Sequence, residues 1–391
     1  MKKIIALNVL LVCFGNSVAQ QSIYDFIGLG EYGIGYANTI IYDTEIDYDQ
    51  YGYSGKAPIF VQVWYPDSSA KQGRYMKYGE FGFEDLPGPL SAVYTKLKSR
   101  MNDIFIRDGI AYNLETDDEM AYEEPYSRQM LDAVLQIETR SRKAVIETKP
   151  DFPAIVYHHG SQGLSDENAI MAEYFASHGY IFISGNFHLP FENSIYGLLP
   201  YHLEKQNKHD QSSAKAVLNY ARSLNRNNKV FFIGHSWGAQ QGWCFLNEPN
   251  RADAFVSMET TIEFKRDSEK VRELWPHVYD ALKVKKNTFS VPILAFAAAE
   301  ESTNFEFFKG QNSNETIFAS YKKPFTHNSY TSMIIMRYFV KERFPQEDSE
   351  TLLTQIEGYR EHLSMIHSFF DSVNKSQPFT RDTFREHFIL E

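Results

Sequence analysis

A chain of 391 residues with 43% hydrophobic residues can bury a large core, as one large domain or as two. Its formal net charge of −11 at pH 7 argues against nucleic acid or an anionic membrane surface as a partner. The two cysteines, Cys13 and Cys244, exclude a disulfide-stapled scaffold, so stability has to come from the core.

The first residues stand apart from that core. Lys2 and Lys3 precede an apolar run from Ile4 to Phe14, and Ser17-Val18-Ala19 puts small residues where a signal peptidase cuts. Residues 1–19 are therefore expected to be a removable export leader, with the mature chain starting at Gln20 and residing in the periplasm or outside the cell. The run is too short to span a bilayer, which takes about 20 apolar residues. Cleavage would leave Cys244 as the one cysteine and no integral membrane segment.

Thr39–Tyr42 and Pro58–Tyr65 are β-branched and aromatic, and predict two antiparallel strands joined by a long polar hairpin loop over 43–57. Residues 67–150 change character: they are charged and helix-permissive, with helical apolar spacing in Leu90–Ile106 and Met130–Ile146 and no strand signal. This stretch is expected to be a helical insertion lying over one end of the core.

From Phe152 onward strands and helices alternate. Phe152–Tyr157 is the first predicted strand, running into His158-His159-Gly160-Ser161-Gln162-Gly163, and Asp166–His178 is a helix. Next come a strand Tyr180–Ser184, a loop Gly185–Pro200 and a helix Asp210–Leu224. Lys229–His235 is a strand that ends in Gly234-His235-Ser236-Trp237-Gly238 and continues as a helix to about Leu246. Strands at Ala254–Met258, Val291–Ala297 and Thr316–Tyr321, and helices at Ser268–Leu282 and Tyr330–Arg343, complete the alternation. Leu352, Ile356, Tyr359, Leu363, Ile366 and Phe370 mark an amphipathic helix in a C-terminal extension, residues 345–391. Such a pattern predicts a mostly parallel central sheet flanked by helices, in one domain over 20–391.

The Gly-x-Ser-x-Gly between a strand and a helix predicts a nucleophile elbow, a strained turn that presents a serine hydroxyl, here Ser236. A serine is a poor nucleophile without a base that a third group orients. His327, in Pro324-Phe325-Thr326-His327-Asn328-Ser329-Tyr330 after the last predicted strand, is the candidate base; His277, His362, His367 and His387 have the contexts of surface or packing residues. The acid is left open between Glu259, at the end of the strand after the elbow helix, and Glu300 or Glu301, at the end of the next. Two amides should face the oxyanion: the Trp237 N–H, and the Ser161 N–H in the loop after the first alternating strand. No ligand spacing accompanies the paired histidines, so neither a metal nor another cofactor is expected.

The His158-His159-Gly160-Ser161 loop, the Gly234-His235-Ser236-Trp237-Gly238-Ala239 elbow and the Thr326-His327-Asn328-Ser329-Tyr330-Thr331 segment resemble the platelet-activating-factor acetylhydrolase and dienelactone-hydrolase-like branch of the α/β-hydrolases. Gly33-Ile34-Gly35 through Val61–Pro66 is similar to that branch's N-terminal strands. The resemblance covers most of 30–66 and 150–340. It implies an α/β-hydrolase fold, a serine carboxylic ester hydrolase of the acetyl or short-acyl type, and a small-molecule ester substrate. It also implies Glu259 as the acid, with Glu300 in reserve, and the Ser161 and Trp237 amides as the oxyanion hole. An amidase or peptidase on the same triad, and an inactive hydrolase fold used for binding, are the other two readings. Oligomeric state is not written in the sequence.

Overall fold

The computed structural model describes residues 22–67, 73–105, 126–146, 151–192, 199–200, 211–249, 251–264, 267–298, 303–311, 316–340 and 349–391. The expected leader, residues 1–19, lies outside them.

Ile34–Gln50 (β1) and Tyr53–Pro66 (β2) form one long antiparallel hairpin. Most of the polar stretch 43–57 is thus paired strand rather than loop. Thr44, Glu45, Asp47 and Asp49 stay in solvent while Asp43, Ile46 and Tyr48 are buried, and a bulge between Asp43 and Asp47 shifts the register. Tyr51 and Gly52, both at positive φ (54° and 74°), close it as a two-residue turn whose twist matches the strands.

The expected insertion contains Pro89–Ile104 (α1) and Tyr126–Leu135 (α2), and also a strand, Ser141–Lys143 (β3), paired parallel to the start of β1. Three residues, two of them basic, carry no strand periodicity. What holds them is tertiary: buried Glu173 accepts from the Ser141 hydroxyl at 2.5 Å and the Arg140 N–H at 2.9 Å. α1 buries Val93, Leu97, Met101 and Ile104 along one face.

The alternating part follows as Ala154–His158 (β4), Ala169–Ser177 (α3), Ile181–Gly185 (β5), the short pair His188–Leu189 (β6) and Leu199–Pro200 (β7), and Gln211–Leu224 (α4). Then come Val230–His235 (β8), Trp237–Phe245 (α5), Ala254–Met258 (β9), Ser268–Leu274 (α6), Pro276–Tyr279 (α7), Ile293–Ala298 (β10) and Thr316–Tyr321 (β11). The helix expected over 268–282 is broken at Trp275, because Pro276 offers no N–H and pushes the residue before it out of the helical region (φ −133°, ψ 61°). Met333–Val340 (α8), Ser349–Asn374 (α9) and Phe388–Leu390 (β12) end the chain.

Among the described residues the main sheet runs β12-β11-β10-β9-β8-β4-β5-β2-β1-β3. Its centre, from β11 to β5, is parallel; β12 and the β1/β2 hairpin are antiparallel to their neighbours β11 and β5. Alternation along β8 sends Phe231 and Ile233 to one face and Val230 and Phe232 to the other, each into its own apolar layer. On the first face Phe370 of α9 stacks on Phe231 at 4.5 Å, and the six stripe residues of α9 are all buried. α1 lies over the carboxyl ends of β4 and β5: Lys98 pairs with Asp166 at 3.5 Å, and the Asn186 amide meets the Met101 sulfur at 3.4 Å.

Candidate active site

At the carboxyl end of β8 the chain turns into α5 through Ser236, held at φ 52°, ψ −113°. A non-glycine residue there is strained, and what tolerates it is the absence of side chains around it. A Cβ on Gly234 would run into the Gly238 backbone, and one on Gly238 into the His158 carbonyl. The Ser236 N–H donates to the Met258 carbonyl at 3.0 Å, which stitches the elbow to the end of β9. Trp237 opens α5, so its N–H lies in the first turn of that helix, at the elbow.

One residue beyond that stitch, Glu259 also adopts a left-handed backbone (φ 48°). The turn directs its carboxylate across the sheet. Oε2 accepts from the Ala298 N–H at 2.9 Å, and Oε1 lies 2.6 Å from Nδ1 of His327. A carboxylate accepts, so Nδ1 carries the proton and Nε2 is left as the basic nitrogen. Glu259 is 1% exposed and the His327 side chain 28%, an acid in the interior and an imidazole at the rim. His327 begins a single 3₁₀ turn, His327–Tyr330, whose preceding Thr326 shares a reciprocal cap with Ser329. The structure therefore brings Glu259 and His327 together beside the elbow: the ring of His235, the residue before Ser236, lies 4.9 Å from that of His327. Glu300 and Glu301 lie outside the described residues.

The His158-His159 loop passes over the elbow. A Cβ on Gly160 would come within 3.5 Å of that of Ser236 and 2.6 Å of the Gln162 Oε1. Gly163, at φ 80°, closes a turn by donating to the Gly160 carbonyl at 3.2 Å. The Gly160 N–H is taken by the Glu167 carboxylate at 3.1 Å, and the Ser161 N–H has no backbone partner among the described residues. Both histidines are buried and serve the loop. His158 stacks on Phe187 at 4.0 Å; His159 accepts from the Phe187 N–H at 3.2 Å and so donates from Nδ1 to the Gly160 carbonyl at 2.7 Å. No group of three or more metal-ligating side chains occurs among the described residues.

Other histidines sort by environment. His362 is buried against Phe325 (4.5 Å, stacked), and burial pushes its pKa down to about 3, so it is a neutral packing residue. His277 lies closer to the chemistry than its helical setting suggested: its ring is 5.1 Å from that of Trp237, and its Nε2 reaches the Gln240 amide oxygen at 3.2 Å. Two acids escape sequence reasoning. Glu263 is buried, accepts from the Thr260 N–H and hydroxyl (3.2 and 2.9 Å), and has its pKa pushed up to about 7 by burial, with the nearby Glu259 charge adding to the rise. Glu167, buried beside His235, reads in the sequence as an ordinary residue of a helix start. Nothing short of the fold distinguishes either from a solvated acid.

A profile of the α/β hydrolase fold matches residues 153–291, which carry the elbow and Glu259. The structure superimposes on a ferulic acid esterase from Streptomyces cinnamoneus with a TM-score of 0.52 at 14% identity, covering 90% of this chain and 94% of that one. An acylaminoacyl peptidase from Pyrococcus horikoshii gives a TM-score of 0.41 at 15% identity, over 61% of this chain and 40% of that one. No match is found among the curated proteins. The chain thus has the α/β-hydrolase fold that the sequence implied, a mostly parallel sheet with helices on both faces.

Proposed function

We propose that this chain is a serine hydrolase that cleaves carboxylic esters of small molecules, without a metal or other cofactor. Ser236 attacks the carbonyl while His327 takes its proton; Glu259 orients the imidazole and stabilises its charged form. The Trp237 and Ser161 amides receive the developing oxyanion. His327 then protonates the leaving alcohol, and water, activated by the same imidazole, releases the acid from the acyl-enzyme. The observation that carries the reading is the 2.6 Å contact between His327 Nδ1 and Glu259 Oε1, made next to a serine held at φ 52°. Such strain in a buried turn persists where function uses it. Short acyl groups such as acetyl are the preferred substrates on the resemblance to the acetylhydrolase and dienelactone-hydrolase-like branch, and residues 1–19 direct the chain to the periplasm or the exterior.

A fluorophosphonate probe should label the wild-type protein and not Ser236→Ala. A panel of p-nitrophenyl esters of increasing acyl length, set against the matching anilides, should show turnover of the short esters. Absence of labelling would remove the nucleophile from the reading, and faster anilide than ester turnover would make the protein an amidase.

A further inference from the structure

Glu167 is 1% exposed, in the Ser165-Asp166-Glu167-Asn168 segment that leads into α3. Its Oε1 accepts from the Tyr157 hydroxyl at 2.5 Å and the Gly160 N–H at 3.1 Å, and lies 3.4 Å from Nδ1 of His235. The other nitrogen of that ring, Nε2, is 3.1 Å from the main-chain carbonyl of His327; a carbonyl only accepts, so the imidazole donates there. The Glu167 carbonyl itself accepts from the Ser332 N–H at 3.0 Å. Asn168 repeats the pattern, giving its amide hydrogens to the Tyr157 hydroxyl (2.8 Å) and the Tyr330 carbonyl (3.2 Å).

Burying a carboxylate is unfavourable by several kcal/mol unless donors surround it, and a neutral side chain of the same shape would fill this space more cheaply. The two donors it collects, the Tyr157 hydroxyl and the Gly160 N–H, come from the end of β4 and from the loop that passes over the elbow. Charge-assisted bonds of this kind are short and directional, and Gly160 has no side chain to fix its peptide plane otherwise.

We propose that Glu167 is a positioning residue for ester hydrolysis at Ser236: its carboxylate fixes the peptide plane just before the Ser161 N–H. The inference rests on the reading of the site given above. Glu167 touches no reacting atom; it acts through the loop after β4, which must stay in register with the elbow. A one-ångström drift of that loop would lower the rate without weakening substrate binding.

The test is Glu167→Gln, which keeps shape and removes charge. Steady-state kinetics on p-nitrophenyl acetate should show kcat falling about 10- to 100-fold, somewhat less than outright loss of an oxyanion donor, with KM within about threefold. Hydrogen exchange should accelerate in peptides spanning 158–163 and stay unchanged in α4. Should Glu167→Gln fail to fold, Tyr157→Phe, which keeps the carboxylate and removes one donor, is expected to lower kcat in the same way by about tenfold. Unchanged exchange in 158–163, or a raised KM at constant kcat, in either folded variant overturns the proposal. Exchange reads Glu167 without turnover, so a wild-type protein inert to esters would overturn the functional reading while the loop still decides for or against Glu167.

Discussion

At the scale of single residues, two buried carboxyl groups differ in what faces them. In the proposed mechanism the imidazolium formed during attack has a fixed counter-charge in Glu259, which faces His327 Nδ1 and is anchored by a main-chain N–H. Glu259→Gln keeps the shape and lets the wrong tautomer form; kcat is expected to fall by about 10³- to 10⁴-fold with little change in KM, measured on p-nitrophenyl acetate. A loss below about tenfold would move the acid elsewhere. Glu263 behaves oppositely, because burial favours its neutral form and raises its pKa to about 7 from an ordinary 4.5. The folded protein therefore holds this proton over a range in which the unfolded chain has released it, and stability falls as pH rises from about 4.5 to about 7, by roughly 3 kcal/mol from this group. Glu263→Gln should flatten the dependence of Tm on pH across that window and raise Tm at pH 8, as followed by differential scanning fluorimetry. An unaltered slope would show that the carboxyl ionises freely. Ser236 and His327 were legible as candidates because each sits in a local pattern, a strand-to-helix glycine turn and a loop after the last parallel strand. Glu167 and Glu263 were not, since an acid next to a helix start looks the same whether the fold buries it or leaves it in water.

Among the elements, the elbow is the most tightly specified. Gly238 has the His158 carbonyl against its α-carbon, and Gly234 has Gly238 itself, all of it backbone that cannot swing aside. Gly238→Ala must push β4 and α5 apart; it is expected to destabilise by about 3 kcal/mol or more in urea unfolding and to abolish fluorophosphonate labelling. Gly52→Ala, in the exposed hairpin turn with open space around it, should cost only about 1 kcal/mol and leave labelling intact. The parallel strands were readable because burial on both faces makes them continuous apolar runs, as in Val230–Ile233 and Ile293–Ala297. The outer half of β1 and β2 was not, because its tyrosines and aspartates break the apolar run, and the buried ones find partners far along the chain: Asp43 accepts from the Ser212 and Ser213 hydroxyls, and the Tyr48 hydroxyl donates to the Pro190 carbonyl. β3 and β12 escaped for another reason: at three residues each, they are defined by the edge they join rather than by a pattern of their own.

Over the whole molecule, the last 43 residues described, 349–391, work as part of the core. α9 covers one face of the sheet, and Phe388 of β12 packs buried against Phe296 (5.8 Å) and Tyr321 (5.4 Å). Phe388→Ala is expected to lower stability by about 3–5 kcal/mol in denaturant titration while kcat on p-nitrophenyl acetate, measured well below the transition, stays within about twofold. The C-terminal part lies outside the family resemblance, so its amphipathic stripe announced a helix with one face against the body without saying which part of the core that face would cover.

The Tyr359 hydroxyl of α9 donates to Asn168 Oδ1 at 3.0 Å, and the same oxygen accepts from the Ser332 N–H at 3.0 Å. A bond that braces the segment after His327 thus comes from α9. Docking of that helix and placement of the segment are coupled, so a change that loosens α9 should loosen the loop around His327 as well.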